Sequence, residues 1–357
     1  MGANEVKLTK DMIEQQIRRS SNVFLIGHNS PDFDSIGACL GLYEMATSFG
    51  KKAYIIVDDD PAKIESGVKR IIDENKENYR FIKKSDVPEL KKDRSLLILC
   101  DTNKRDLISV GENLNWFDRV VILDHHEETE MTVDTPYKII STDISSASEM
   151  VARLLMASKT KYSKVVANAL LAGISLDTKR FRQNTTSKTH DVAEKLIDNG
   201  ADVDFVNNLF LQEFESFCRI GDLIINGTLI RQYSDISYSP LQVSFTLNRN
   251  EPKKIYLKED FAKAADRMMK FEGIDAAFAL GYVDDEYVHI SARSGKRLNV
   301  GAIMKEMCGG GNPQNAGTRI KRENLLEVEE ELMKKIPLGL SQDTSIQNPP
   351  QFVKLKK

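Results

Sequence analysis

Cysteine is sparse in this 357-residue chain: Cys39, Cys100, Cys218 and Cys308 lie far apart and form no CxxC pair. That excludes a disulfide scaffold and a zinc ribbon, and predicts free thiols in a reducing cytoplasm. No apolar run approaches the ~18 residues of a membrane span, and no signal peptide opens the chain. Basic charge shows no excess, with a formal charge of −3 and a pI near 6.1. A broad surface for coating long nucleic acid is therefore excluded, while a local nucleotide site is not. Proline and glycine are few, and 41% of residues are apolar, which excludes a low-complexity or disordered chain. The expectation is a cytoplasmic globular protein, or the cytosolic part of a longer membrane-anchored one, with two domains by length.

What is present is an alternation of apolar strands and amphipathic helices. NVFLIG (22–27), KKAYIIV, LLILC and RVVILD read as short buried strands. A helix is expected from about Ser35 to Phe49, with Ile36, Leu40, Tyr43 and Ala46 on one face and Gly50 at its stop. Asp34 and Ser35 suit its start. Further helices are expected at 146–158, 163–176 and 187–199. Strands alternating with helices imply right-handed βαβ units and a mostly parallel sheet flanked by helices. Residues 201–226 read as one long linker helix. From 228 the pattern changes to GTLIRQYS, LQVSFTL, AAFALGYV and EYVHISARS, with a helix at 259–271, a Gly-rich turn and a charged helix near 322–335. The expected organisation is a catalytic α/β domain at 8–200, a linker helix at 201–227, a smaller α/β domain at 228–337 and a flexible tail at 338–357.

The chemistry-bearing residues sit where the apolar runs end. HNSPDFD supplies His28, Asp32 and Asp34. Asp101 follows LLILC, DHH (Asp124, His125, His126) ends VVIL, and Asp177 ends a helical run. In parallel sheets ligands bind outside the carboxyl ends of the strands. Each residue also has an ordinary reading: Asp34 and Asp177 as helix caps, and His28 as a satisfied core histidine. Those readings weaken together, because separate caps need not gather at one sheet edge. Clustered carboxylates stay ionised only beside cations. Imidazole and carboxylate without thiolate suit Mn²⁺, with Mg²⁺, Co²⁺ or Fe as competitors. Two such ions can clamp both oxygens of an in-line displacement at phosphorus.

GHNSPDFDSIG, CDTNKRD, LDHHEE and LDTKRF closely resemble the motifs of the DHH phosphoesterases. SARSGKRLNVGAIMKEMCGGGNPQNAG resembles their DHH-associated, substrate-binding domain. LDTKRF is similar to the phosphodiesterase part of membrane-anchored cyclic-di-AMP phosphodiesterases; the soluble nano-RNase branch carries a Gly-containing variant. The resemblance implies two divalent metals, with Mn²⁺ expected. His28 and Asp32 would bind one, and Asp34, His125 and Asp177 the other. Asp101 would bridge them. His126 would act beside them or touch phosphate. Apart from the resemblance, Lys179 and Arg180 stand beside Asp177, where they would either help hold phosphate or form a solvated surface. In the second domain the resemblance implies substrate contacts from Arg293, Ser294, Asn299 and the turn Gly309, Gly310, Gly311 and Asn312. Two positions depart from the pattern: Asn312 stands where the family has histidine, and Asn315 replaces a small residue. Asn can donate a hydrogen bond but carries no positive charge.

The implied reaction is hydrolysis of cyclic-di-AMP to linear pApA in the cleft between domains. The alternatives are a nano-RNase or pApA phosphatase acting on short linear oligonucleotides, a cyclic-dinucleotide receptor that binds without cleaving, and an inorganic pyrophosphatase, which fits the N-terminal motifs but fits the SARS…GGG segment poorly. The expected partner is a cyclic or short linear dinucleotide, and a homodimer is left open.

Overall fold

The computed structural model describes residues 2–57, 64, 66–211, 214–233, 241–247, 256–295, 297–321, 324–340 and 353–354. The chain divides into two units, residues 1–211 and 212–357.

The first unit is built on six parallel strands: β1 (Asn22–Ile26), β2 (Lys52–Ile56), β3 (Phe81–Ile82), β4 (Leu96–Cys100), β5 (Arg119–Asp124) and β6 (Lys138–Ile140). Their order is β3-β2-β1-β4-β5-β6, and every pairing is parallel. The central strands β1 and β4 are buried along their whole length. Their side chains alternate between two faces. Val23, Leu25, Ile98 and Leu123 enter the larger core, while Phe24, Ile26, Leu97 and Ile122 enter a smaller one on the opposite face. Each such side chain contributes roughly 1.5–3 kcal/mol of burial, so a one-residue slip in register is strongly disfavoured. The helices are α1 (Ala3–Arg19), α2 (Phe33–Ser48), α3 (Ser66–Asn75), α4 (Val87–Leu90), α5 (Ala147–Ser158), α6 (Lys164–Asp177), α7 (Ser187–Asp198) and α8 (Val203–Leu209). The chain runs outward from β1 to β3, then restarts at β4 beside β1. The gap between the ends of β1 and β4 is the topological switch point at which such sheets bind ligands.

The second unit contains α9 (Phe214–Gly227), β7 (Thr228–Tyr233), β8 (Leu241–Leu247), α10 (Lys258–Met268), β9 (Ala276–Tyr282), β10 (Tyr287–Ser294), α11 (Val300–Lys305), β11 (Gly310–Gly311), β12 (Asn315–Lys321), α12 (Leu325–Lys335) and β13 (Val353–Lys354). Its sheet order is β11-β12-β10-β9-β8-β7-β13. Among the described strands of this sheet, only β8 and β9 pair in parallel.

Three expectations are corrected. Residues 201–226 are not one helix but α8 and α9. Asp202 caps α8 by accepting from Phe205 N at 3.0 Å. Phe210 then leaves helical geometry (φ −91°, ψ 6°), and its ring packs 4.8 Å from that of Phe33. The tail does not begin at 338: residues 336–339 form a 3-10 turn, Leu340 bridges Leu298, and β13 pairs with β7. The rest of 338–357, and residues 322–323 of the last expected helix, lie outside the described residues. The cap of α2 is Asp32, not Asp34: its Oδ1 accepts from Asp34 N and Ser35 N, both at 2.9 Å. Among the described residues no helix is long and apolar enough to cross a membrane, and all four cysteines are free.

Candidate metal centre

Four separate stretches deliver side chains to the switch point. His28 follows β1, Asp101 follows β4, Asp124 ends β5 with His125 and His126 behind it, and Asp177 ends α6. His28 Nε2 lies 3.5 Å from Asp32 Oδ2 and 3.6 Å from Asp101 Oδ2. His125 Nε2 lies 3.2 Å from Asp101 Oδ1, 3.1 Å from Asp177 Oδ2 and 3.8 Å from Asp34 Oδ2. Asp101 thus faces a His28–Asp32 group with one oxygen and a His125–Asp177–Asp34 group with the other. Ligand atoms within each of these groups, the first including Asp101, lie within 4.8 Å of one another, as metal coordination requires.

Local backbone explains the placement. Asp101 takes φ +59°, a left-handed conformation that costs on the order of 1–2 kcal/mol in a non-glycine residue, and its N–H donates to Leu123 O at 3.0 Å. Asp34 is completely buried. Its two oxygens accept from Ala147 N at 2.8 Å and Ser148 N at 2.7 Å, the first amides of α5. Ser148 Oγ also donates to Asp34 O at 3.1 Å. Gly173 of α6 makes room for this contact, because a Cβ there would lie 2.2 Å from Ser148 Oγ and 2.8 Å from Asp34 Cα. Asn103 ties two of the stretches together. Its Nδ2 donates to the carbonyls of His126 and Glu127, both at 3.3 Å, and its Oδ1 accepts from Thr132 Oγ1 at 3.0 Å.

The electrostatics are those of a site short of positive charge. Burial would lower the basicity of His28, but Asp101 and Asp32 more than offset it and raise its pKa to about 10. His125 follows the same pattern: burial opposes, and Asp101 and Asp177 raise it to about 11. Burial, then repulsion from Asp101 and Asp177, pushes Asp34 up. The two α5 amides favour its ionised form and oppose that rise. Asp101 is the exception: despite burial, the neighbouring imidazoles of His125 and His28 hold it below the usual carboxylate range. The donor set fits divalent cations. Asp101 Oδ1, Asp124 Oδ2 and His125 Nε2 are buried atoms without a hydrogen bond, although His125 Nε2 and Asp101 Oδ1 are only 3.2 Å apart. Native proteins rarely leave such atoms unpaired except where an ion or ligand completes them.

A pocket of about 170 Å³ opens onto this cluster, and Asp32, Asp101, Asp124, His126 and Asp177 are among its walls. Thr102, Asn103 and Lys104 also line it. Their motif, CDTNKRD, is visible in the sequence, but no spacing there singles out these three side chains. The residues expected to touch substrate are distributed differently. Arg180 is exposed, with its guanidinium 5.5 Å above the Phe210 ring, and does not line the pocket. In the second unit, Arg293 Nε donates to Asp266 at 2.8 Å. Ser294 Oγ donates to Leu298 O at 2.6 Å. Asn299 caps α11 through Ala302 N at 3.0 Å. Gly311 has φ +144°, and a Cβ there would lie 2.4 Å from Asn315 O. Asn312 Oδ1 accepts from Gln314 N at 3.0 Å and Asn315 N at 2.7 Å, making it the corner of that turn. A separate cavity of about 520 Å³ in this unit is lined by Arg297, Asn299 and Gln314, among others.

Residues 22–174 match the DHH family, N-terminal domain, and residues 242–336 match the DHHA1 domain. The chain belongs to the DHH family. It is 33% identical to cyclic-di-AMP phosphodiesterase GdpP of Bacillus subtilis (strain 168) over 90% of this chain and 48% of that protein. It is 31% identical to cyclic-di-AMP phosphodiesterase PdeA of Listeria monocytogenes over 92% of this chain and 49% of that protein. The chain thus spans about half the length of these curated relatives. Among solved structures, an exopolyphosphatase-related protein from Bacteroides fragilis matches with a TM-score of 0.72 at 22% identity, covering 93% of this DHH chain and 97% of that one. Exonuclease RecJ bound to manganese matches at 0.51 and 13% identity, covering 93% and 94%. These two likenesses concern the fold.

Proposed function

We propose that this chain is a two-metal phosphodiesterase that opens cyclic-di-AMP to linear pApA, with Mn²⁺ as its metal. The observation that carries the reading is Asp101, whose two oxygens face two separate His–Asp groups. The names of the GdpP and PdeA relatives support the substrate. His28 and Asp32 would hold one ion, Asp34, His125 and Asp177 the other, with Asp101 between them. Bound there, two divalent ions supply a more acidic water and screen the charge that develops on the phosphoryl oxygens. Asp34, held by two α5 amides, would lose little side-chain freedom in holding an ion. Asp124 holds His126: its Oδ1 lies 2.8 Å from His126 Nδ1. That hydrogen bond, more than any other influence, raises His126 basicity. With Nδ1 engaged, Nε2 is the nitrogen left to give a proton to the departing 3′ oxygen.

The test is a chromatographic assay of products from cyclic-di-AMP, pApA and pyrophosphate, with Mn²⁺ and with chelator. Linear pApA formed from the cyclic substrate only with metal is expected. Turnover of pApA with none of cyclic-di-AMP would transfer the chain to the linear-dinucleotide branch. Tight binding without product would make it a receptor.

A further inference from the structure

Asp32, Asp34, Asp101, Asp124 and Asp177 gather at the switch point. Ionised, they carry five negative charges, and two divalent ions offset only four. A phosphodiester brings another negative charge into the same pocket. Something on the chain must favour its entry, and the walls offer one Lys or Arg among the described residues: Lys104. The loop that carries it is pinned on both sides. Lys104 N donates to Thr102 Oγ1 at 3.4 Å, Lys104 forms an antiparallel bridge with Thr132, and Arg105 N donates to Met131 O at 3.1 Å. The preceding residue is Asn103, itself bonded to the His126 carbonyl. The backbone beneath the lysine is therefore fixed relative to Asp101 and His126. Its ammonium makes no ion pair with a described residue. Lys138 and Lys164 differ, meeting Glu128 and Asp202 at 3.1 and 3.3 Å.

We infer that Lys104 is a substrate-binding residue, whose ammonium contacts a non-bridging oxygen of the reacting phosphate. The inference deepens the phosphodiesterase reading and rests on it for the identity of the substrate. A lysine is a compact point charge with no fixed hydrogen-bonding fork, so it favours charge over base identity. It would aid cyclic and linear dinucleotides alike.

The experiment compares wild type with Lys104→Ala, Lys104→Gln and Lys104→Arg by three measurements. Calorimetry gives Mn²⁺ stoichiometry and affinity. Titration of the Mn²⁺-loaded protein gives the affinity for inorganic phosphate. Kinetics on cyclic-di-AMP at several salt concentrations gives kcat and KM. Loss of one charge-assisted contact predicts phosphate affinity about 10- to 100-fold weaker in the Ala and Gln variants. KM should rise with it, and its salt dependence should flatten. Lys104→Arg should recover most of the loss, and Mn²⁺ binding should stay unchanged in all three. Phosphate affinity within twofold of wild type in Lys104→Ala would overturn the inference. So would parallel loss of Mn²⁺ and phosphate, which marks a structural role. Wild type that binds phosphate through Lys104 but cleaves no dinucleotide would remove the proposed reaction and leave this contact standing.

Discussion

The polar residues singled out in the sequence are used in opposite ways in the two units. At the sheet ends of the first, Asp101, Asp124 and His125 each keep a buried atom without a hydrogen bond. In the second, Ser294, Asn299 and Asn312 spend their oxygens on nearby backbone. Unmet bonding capacity in a buried cluster is costly, so it points to something that binds there. Polar groups bonded to nearby backbone point to a turn that needs holding. The difference separates residues that would meet a metal from residues that shape a turn of the second unit.

The sharpest way to break that contrast is Asp101→Asn, which keeps the shape and removes the charge between the two His–Asp groups. Hydrolysis of cyclic-di-AMP should fall on the order of 1000-fold or more, with Mn²⁺ stoichiometry dropping by at least one ion. Wild-type rate together with an unchanged stoichiometry would show that the carboxylate bridges nothing.

Metal binding should also depend strongly on pH. Without metal, His28 and His125 carry protons up to about pH 10 and 11, and a cation must displace them. Apparent Mn²⁺ affinity should therefore climb between pH 6 and 8.5. The stability of the chelated protein should run the other way at high pH. Both folded-state values lie above the ordinary ~6.5 of an unfolded chain, so the histidine–carboxylate contribution is complete below pH 6.5. It disappears as pH rises through about 10 to 11. Calorimetric affinities that stay flat across pH 6–8.5 would contradict the protonated metal-free cluster.

How much of this was legible in the sequence follows the range of the interactions. β4 and β5 were readable to the residue, because LLILC and RVVILD are unbroken apolar runs ended by acids. So was the gathering of His28, Asp101, His125 and Asp177, since parallel strands leave their carboxyl ends on one edge. The break between α8 and α9 was not, because Phe210 is helix-compatible and its packing on Phe33 is a long-range contact. The grip of α5 on Asp34 spans more than a hundred residues and uses backbone amides. No side-chain pattern reports such donors, and SSAS read simply as a helix start. Asn312 was visible as a departure from the family pattern, while its role as a turn corner needed coordinates.

A subtler probe of the first unit is Ala147→Pro. Ala147 is the first residue of α5, where proline suits the backbone, and Ser146 before it is already extended (φ −166°, ψ 160°). The substitution deletes one amide bond to Asp34. Mn²⁺ affinity should weaken about tenfold, the scale of a lost bond behind a metal ligand, while circular dichroism shows the fold retained. A folded variant with unchanged Mn²⁺ affinity would reduce the α5 contact to packing. The matching probe of the second unit is Asn312→His, which restores the family residue but removes the carbonyl that accepts two turn amides. Stability should fall by about 1 kcal/mol with Mn²⁺ binding intact. A gain in dinucleotide affinity without that loss would return Asn312 to the substrate site.

A pH effect of the opposite sign concerns His289, the buried imidazole of the second unit. It is 5% exposed, and its Nε2 lies 3.0 Å from Ser291 Oγ. Burial first, then the charges of Lys258, Arg319 and Arg293, lowers its pKa to about 4. Here the folded protein resists a proton that the unfolded chain accepts near ~6.5. The stabilising contribution is therefore whole above pH 6.5 and fades as pH falls toward 4, opposite in direction to His28 and His125. The full swing is at most ~3 kcal/mol, less where the surroundings relax. Carboxylates elsewhere also weaken the fold in acid, so wild type alone cannot isolate it. Comparison with His289→Gln at pH 7.5 and 5 can: the wild-type Tm should drop further than that of the variant. Parallel drops would mean that the ring takes up its proton in the fold as readily as outside it.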